Sequence, residues 1–328
     1  MVNTLSPGDR VLGVSIGSFG DRIAKIAGVY GADVTKLSIK WGQAADPAQL
    51  RAHLVANPGY RAVLLTHNET STGVMNPVAK LAAVVREVQP EALTIVDSVS
   101  GLGAVPFEMD AWGIDVVVTG SQKAWMAAPG LAMVAASERA WAAMETATMP
   151  RFYLDLRKHR ESHALGQTPW TPAIAVVYQV DAGLELMAAE GAEAIFARHE
   201  TCAVATRAGL AALGFELFAD PAHYSRTVTA ARVPEGFDWK ALNGAVKAEG
   251  VVLAGGQGPL AGQIFRLGHL GSVTLGEILD AIGVLEEVSI RFERNVKPGV
   301  GIAAAQAAAL ERMGVGPAAV ATSAGVAG

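Results

Sequence analysis

Short apolar stretches alternate with longer amphipathic stretches through the first half of the chain. The apolar stretches predict buried strands at residues 11–16, 33–39, 62–66, 93–96, 114–118 and 131–135. The amphipathic stretches between them have helical spacing and predict helices at residues 21–30, 47–56, 78–88 and 138–147. Strands that alternate with helices favour a mostly parallel sheet with helices on both faces. We therefore predict an α/β fold for this half.

Longer helical patterns and fewer strands mark the second half, after a break at Pro169 and Pro172. Here the pattern predicts helices at 173–189, 192–213, 239–249 and 275–292, and strands at 227–233 and 264–267. We predict a large domain over residues 1–190 and a smaller α+β domain over 191–295. Residues 296–328 form a predicted Ala/Gly-rich tail that includes one helix at 303–313.

Composition narrows the class of protein. The chain has 328 residues, of which 51% are hydrophobic and 17% charged, which is enough for two domains and suggests apolar surface buried between subunits. A net charge of −5 gives no electrostatic support to a nucleic-acid partner. The single cysteine, Cys202, excludes an internal disulfide framework and a Cys-rich zinc site. With neither a bilayer-length apolar run nor a signal peptide at its start, we expect a soluble cytoplasmic protein without membrane contact or metal.

Polar residues follow several predicted strands at the point where each strand ends. Residues 67–73 follow one strand, Asp97 follows the next, and residues 121–123 (Ser-Gln-Lys) follow a third. The first strand leads into residues 17–20, which include Phe19. Ligands of open α/β sheets bind beyond the carboxyl ends of the strands, so we expect these groups to converge at one edge.

Lys123 and Asp97 are the residues with the most definite chemistry at that edge. A lysine between a buried strand and the apolar run 124–128 has little water around it. Desolvation favours the neutral amine, which can form a Schiff base, although an ordinary surface lysine is an equal alternative from this run alone. Asp97 ends a buried strand, where its charge needs a partner; the alternative is a turn or N-cap aspartate. Together the pair suits pyridoxal phosphate, which needs a lysine for its aldehyde and a carboxylate for its ring nitrogen.

Three groups of residues, in this order and spacing, resemble the class V aminotransferases. They are 66–74 (THNETSTGV), 96–103 (VDSVSGLG), and 113–115 (GID) with 120–124 (GSQKA) and 129–131 (PGL). The similarity is greatest to the alanine–glyoxylate and serine–glyoxylate (serine–pyruvate) branch, and it extends from residue 1 to about residue 294. It implies the fold of type I pyridoxal-phosphate enzymes, which is aspartate-aminotransferase-like. It also implies transfer of an amino group from serine or alanine to glyoxylate or pyruvate.

The resemblance assigns roles residue by residue. Lys123 forms the Schiff base with the cofactor and then moves a proton, while Asp97 pairs with the ring nitrogen. Phe19 stacks on the ring, unless it is an ordinary core phenylalanine. The other implied cofactor contacts are Thr70 near the ring hydroxyl, Val99 against the ring, Gln122 at the phosphate, and Thr171 at the phosphate of the neighbouring subunit. The role of Thr171 requires a homodimer with its site at the interface.

Arg266 is the residue that the resemblance assigns to the substrate carboxylate. It lies among apolar residues of a predicted strand, where an unpaired charge is costly. A guanidinium also binds a carboxylate in a two-pronged geometry. The alternative is a structural ion pair.

One part of the resemblance is missing at the start of the chain. Members of the family carry an N-terminal segment with a Ser-Gly-Thr-Gly-like loop at a helix N-terminus that binds the phosphate. Residues 1–5 match only the end of that helix, so we expect an N-terminally truncated large domain. This leaves two alternatives to a transaminase: a catalytically impaired or non-enzymatic aminotransferase-like subunit that lacks the phosphate loop, and a lyase or other class V chemistry.

Overall fold

The structure is a computed structural model that describes residues 1–292 and 294–315. Within these residues, backbone contacts divide the chain into two compact units. The first comprises residues 1–190 and 220–224, and the second comprises residues 191–219 and the chain from Ser225 onward. The predicted tail falls partly outside the described residues, from 316 to 328.

The first unit is built around a parallel sheet. Its strands are β1 Arg10–Ser15, β2 Asp33–Ser38, β3 Ala62–Thr66, β4 Asn68–Glu69, β5 Val74–Met75, β6 Leu93–Asp97, β7 Val116–Gly120 and β8 Ala132–Ala136. Among the described residues, the main sheet has the order β2-β1-β3-β6-β7-β8. Its first five strands are parallel and β8 is antiparallel to β7, while β4 and β5 form a separate small pair. This confirms the predicted mostly parallel sheet.

Helices connect these strands. They are α1 Ser18–Val29, α2 Pro47–Ala56, α3 Val78–Val88, α4 Glu138–Thr146, α5 Leu156–His163 and α6 Ile174–Glu190. The bounds of α2 and α3 agree with the prediction, and α2 has clear start signals. The Asp46 side chain accepts a hydrogen bond from the Ala48 amide, and Pro47 occupies the first turn, where its missing N–H costs nothing.

Strand β7 begins two residues later than the apolar pattern predicted. Asp115 lies inside the predicted strand 114–118, but its buried carboxylate accepts hydrogen bonds from the Thr94 amide (2.9 Å) and the Ser137 hydroxyl (3.0 Å). These bonds fix Asp115 ahead of the strand, so β7 runs from Val116 to Gly120. Lys123 then follows the strand end by only three residues.

The second unit is a smaller α+β unit. It contains helices α7 Ala192–Ala212, α8 Trp239–Ala248, α9 Leu275–Arg291 and α10 Val300–Arg312, and strands β9 Val228–Arg232, β10 Ala254–Gly255 and β11 Ile264–Gly268. The strands form an antiparallel sheet in the order β10-β11-β9. Helix α10 packs on α7 and α9, with Ala305 and Ala309 fully buried, so these residues of the predicted tail pack in the core of this unit.

Candidate active site

The parallel strands bring four loops to one edge of the sheet in the first unit. Strands β1, β3, β6 and β7 are successive neighbours and run in the same direction, so the loops after them share the carboxyl edge. At this edge the strands end close to the same level, because Thr66 pairs with Asp97 and Asp97 pairs with Val118. The structure therefore brings the loops of Phe19, Thr70, Asp97 and Lys123 together, as the sequence predicted.

Asp97 is the last residue of β6, and a hydrogen bond orients its carboxylate. The Val99 amide donates to its Oδ1 at 2.9 Å. Burial raises the pKa of the Asp97 carboxyl, and the hydrogen bond from Val99 opposes that rise. The positive charges of Arg22 and Lys123 also lower this pKa. The carboxylate and the Lys123 ammonium are therefore within electrostatic reach of each other.

The loop that carries Lys123 is tied at its base by Ser121. The Ser121 hydroxyl donates to the Ala128 carbonyl (2.7 Å) and accepts from the Leu131 amide (3.2 Å). Inside this loop, Met126 adopts a left-handed conformation with φ 60°, a backbone state that costs a non-glycine residue roughly 1–2 kcal/mol. Such strain persists only where the surroundings fix it, and it is common at functional sites. Half-buried Lys123 thus sits on a constrained loop.

Ser100 links the loops that follow β3 and β6. Its hydroxyl accepts from the Thr70 hydroxyl at 2.7 Å and from the Asn68 side-chain amide at 2.8 Å. The same hydroxyl donates to the Asn68 carbonyl at 3.1 Å. Thr70 is thereby fixed relative to the segment that begins at Asp97. The sequence prediction assigned no role to Ser100, because a serine three residues after the aspartate that ends a strand has no distinctive pattern.

Phe19, Val99 and Gln122 lie at the same edge with different degrees of exposure. Phe19 is the second residue of α1 and is half-buried, and the Arg22 guanidinium lies 4.8 Å from the centre of its ring. Phe19 is therefore outside the core, contrary to the core alternative considered for it. Val99 is half-buried and Gln122 is exposed. A Cβ at Gly120 would lie 2.8 Å from the Gln122 Oε1, so glycine lets this side chain fold back over the strand end.

Thr171 is exposed and follows an aromatic cluster. The Trp170 ring lies 4.9 Å from the Phe152 ring and 4.7 Å from the Tyr153 ring, measured between centroids. This cluster fixes the chain just before α6. Thr171 thus stands on a supported, outward-facing segment of the first unit, away from the strand-end residues in sequence.

Arg266 belongs to the second unit, in the central strand of its sheet. It is buried, and its Nε and Nη2 donate to the Gly255 carbonyl at 3.1 and 2.8 Å. Gly255 must be small, because a Cβ there would lie 3.0 Å from the indole nitrogen of Trp239. The Gly255 carbonyl fixes the plane of the guanidinium.

The first-unit edge fits pyridoxal phosphate on its donor set. It offers a carboxylate whose charge is disfavoured by burial, a lysine within its electrostatic reach, and hydroxyl and amide side chains nearby. A cationic ring nitrogen would relieve the buried carboxylate. Within residues 1–292 and 294–315, no cluster of three His, Cys, Asp or Glu side chains could hold a metal ion. In the same ranges, no helix combines the length and apolar character needed to cross a bilayer.

Comparisons with known proteins identify the family. A family model for class V aminotransferases matches residues 1–267. The chain is 44% identical to the "soluble hydrogenase, small subunit" of Synechococcus, over 93% of this chain and 80% of that one. It is 40% identical to the L-aspartate–glyoxylate aminotransferase of Paracoccus denitrificans, over 93% and 78%. The crystal structure of pyridoxamine–pyruvate aminotransferase from Mesorhizobium loti matches with a TM-score of 0.89 and 32% identity, over 94% of this chain and 79% of that chain.

These matches confirm the predicted family, fold class and cofactor. The family model covers most of the chain, and the solved structure carries the same arrangement over nearly all of it. The chain therefore belongs to the class V aminotransferases, with the type I fold of pyridoxal-phosphate enzymes and pyridoxal phosphate as its cofactor.

Proposed function

We propose that this protein is a transaminase that moves an amino group from serine or alanine to glyoxylate or pyruvate. The observation that carries the proposal is the position of Asp97 and Lys123 at the ends of adjacent parallel strands, with their charges within electrostatic reach of each other. The names of two relatives support the acceptors, since one acts with glyoxylate and the other with pyruvate. The choice of serine or alanine as the amino donor is the more specific part of the proposal.

Lys123 and Asp97 carry the chemistry in this proposal. Pyridoxal phosphate supplies a ring that accepts the electron pair released when a Cα–H bond of the amino acid breaks. Lys123 would hold the aldehyde carbon of the cofactor through Nζ. Once a substrate amine has displaced it, the free Nζ would take the proton from Cα and deliver it to that former aldehyde carbon. Asp97 would keep the ring nitrogen protonated, and the Val99 amide orients the Asp97 carboxylate through Oδ1.

The remaining strand-end residues bind and orient the cofactor. Phe19 would stack on the ring face and Val99 would pack against the ring, while Thr70 would lie near the ring hydroxyl. Gln122 would donate to the phosphate. The ties from Ser100 and Ser121 support these assignments, because they hold the loops that carry Thr70 and Lys123.

Arg266 binds the substrate carboxylate in this proposal. Amino-acid donors and 2-oxo-acid acceptors share that group, so one guanidinium serves both half-reactions. The Gly255 carbonyl supports the role, because it orients the guanidinium before a substrate arrives.

A cytoplasmic homodimer completes the proposal. Residues 152–186 expose a series of large apolar side chains. They are Phe152, Tyr153, Leu154, Leu165, Ile174, Val177, Tyr178, Leu184 and Leu186. Aromatic and aliphatic surface of this kind is typical of interfaces between identical subunits. Thr171 lies within this segment, which supports its role at the phosphate of the neighbouring subunit.

Cofactor titration of the wild-type chain and Lys123→Ala tests the proposal. We expect stoichiometric binding with a protein-bound absorbance band, and transamination of glyoxylate or pyruvate by serine or alanine. Lys123→Ala should lose the band and at least about 10²–10⁴-fold in rate, the usual contribution of a positioned proton-transfer group. Lys80→Ala, an exposed lysine on α3, should behave as wild type. An absorbance band and a rate in Lys123→Ala equal to those of the wild-type chain would contradict the proposal.

A second candidate is a non-enzymatic subunit of a larger assembly. The name of the Synechococcus relative, a hydrogenase subunit, favours it. This chain has one cysteine, whereas an iron–sulfur cluster commonly takes four thiolates, so the chain alone does not supply such a cluster. Tight, Lys123-dependent cofactor binding together with turnover would rule this candidate out.

A further inference from the structure

Glu69 is a fully buried carboxylate beside the proposed cofactor site, and the assignments above give it no role. It is the second residue of β4, directly before Thr70. Its carboxylate faces the start of helix α1, some 50 residues earlier in the chain. Its two oxygens accept from the Phe19 amide at 3.1 and 3.2 Å, and Oε2 accepts from the Gly20 amide at 3.0 Å.

These contacts cap helix α1 from a distant loop. The first amides of a helix have no intrahelical acceptor, and Gly17 at the N-cap has no side chain to offer one. Glu69 accepts from the second and third amides of the helix. The Ser71 hydroxyl accepts from the first, that of Ser18, at 3.0 Å. A carboxylate here is also favoured by the positive end of the helix dipole.

Ser71 completes the arrangement by holding the carboxylate itself. Its hydroxyl donates to the Glu69 Oε1 at 2.6 Å, and its amide approaches the same oxygen at 3.2 Å. Among the described residues, N–H and O–H groups therefore surround both oxygens of this carboxylate, so both positions require an acceptor. A glutamine at position 69 would keep the size, but its NH₂ group would face donors at one of the two oxygen positions.

The close approach also requires glycine at position 17. A Cβ on Gly17 would lie 2.5 Å from Cγ and 2.6 Å from Cδ of Glu69. The helix start and the loop after β3 are therefore packed directly against each other. We call the set Gly17, Glu69 and Ser71 the helix clamp.

The helix clamp joins two residues assigned to the cofactor. Phe19 supplies one of the amides bound by Glu69, and Thr70 follows Glu69 in the chain. Thr70 is tied in turn to Ser100, in the loop that starts at Asp97. The clamp thus ties the backbone of Phe19 to the loop that carries Thr70.

We propose that Glu69 is a positioning residue that holds Phe19 and Thr70 at the separation required by the cofactor ring. This inference rests on the proposed cofactor-binding roles of those two residues. It predicts that a change at Glu69 alters the affinity and the asymmetric environment of bound cofactor, although Glu69 does not touch the cofactor itself. A purely structural role would change only the stability of the fold.

Three variants separate these roles: Glu69→Gln, Ser71→Ala and the exposed control Glu91→Gln. Each is titrated with pyridoxal phosphate, and the visible circular dichroism of the bound cofactor is recorded beside urea unfolding. We expect Glu69→Gln to weaken binding about tenfold or more, since hydrogen bonds to a charged group are stronger than those between neutral groups. Its circular dichroism band should shrink or change sign. Ser71→Ala should show a smaller change in the same direction, and Glu91→Gln none.

Wild-type affinity and a wild-type dichroism band in Glu69→Gln would overturn the inference, even if unfolding occurred at lower urea. If Glu69→Gln does not fold, Ser71→Ala decides in the same way, because it removes only the hydroxyl that joins Glu69 to the Ser18 amide. Failure of the proposed function has a different signature. In that case the wild-type chain itself would lack Lys123-dependent binding, and the clamp proposal would fall with it.

Discussion

The two units hold their proposed functional residues in different ways. In the first unit, Lys123 and Thr70 lie on loops beyond the strand ends, and serine hydroxyls tie those loops. In the second unit, Arg266 lies inside β11 between two neighbouring strands, and the backbone carbonyl of Gly255 orients it. The backbone hydrogen bonds of the sheet fix the position of a strand residue, whereas a loop residue needs additional hydrogen bonds of its own. Positioning residues should therefore be concentrated in the first unit.

Arg266→Gln should give the largest effect, and it would distinguish most clearly between the proposed roles of the two units. Loss of the two-pronged contact to a substrate carboxylate should raise the KM for glyoxylate and pyruvate about 100-fold. The affinity for pyridoxal phosphate should stay at the wild-type value, because the cofactor contacts are assigned to the first unit. Steady-state kinetics beside cofactor titration measure both quantities.

Arg232→Gln is the matched control for that variant. It removes a neighbouring arginine of the same sheet, whose Nε donates to Glu216 at the surface. It should change neither quantity. A large loss of cofactor affinity in Arg266→Gln would contradict the division of roles between the units.

The pH dependence of stability should come next in size, through His269 in the second unit. This fully buried ring contacts the Thr229 hydroxyl (2.9 Å) and the Arg226 carbonyl (3.1 Å). Burial, and then the charge of Arg207, lower the pKa of His269 to about 3. Below pH ~6.5 the unfolded chain binds a proton that the folded chain excludes, so stability falls as pH falls from ~6.5 towards 3. The expected slope is roughly 1.4 kcal/mol per pH unit.

Urea unfolding at pH 7 and pH 5 checks this slope. His269→Gln lacks the titrating ring, so its stability should change less between the two pH values than that of the wild type, whatever its absolute stability. His163→Gln, on α5 of the first unit, is the control and should keep the wild-type slope. Identical slopes in all three proteins would show that His269 does not control acid stability.

Ser121→Ala should give the smallest effect of the three and tests the loop ties. It removes the hydroxyl that donates to Ala128 and accepts from Leu131. Two hydrogen bonds of this kind are worth roughly 1–3 kcal/mol. The freed loop should weaken cofactor binding by about tenfold and lower kcat, with KM for the oxo acid little changed. Ser162→Ala, on α5, serves as the control. Equal cofactor affinity in both variants would show that the Ser121 hydrogen bonds do not position the loop for cofactor binding.

Local patterns explain which elements could be predicted. The apolar run of β3 is fully buried and its bounds were predicted correctly, as were those of α2. Helix α5 (LRKHRESH) was missed because it has no apolar face and none of its residues is buried. The start of β7 was misplaced because Asp115 bonds to residues more than 20 positions away.

The sequence by itself determined the fold class and the family, and it supplied the side chains that are proposed to be chemically active. Apolar runs and the residues that follow them are local features, and the aspartate and lysine of the proposed site stand in such features. Tertiary structure decided how those side chains are held. Ser100 and Glu69 gain their roles only when distant loops meet at one sheet edge, and Arg266 gains its orientation from a neighbouring strand. A hydrogen bond between residues far apart in the chain leaves no spacing in the sequence from which it could be inferred.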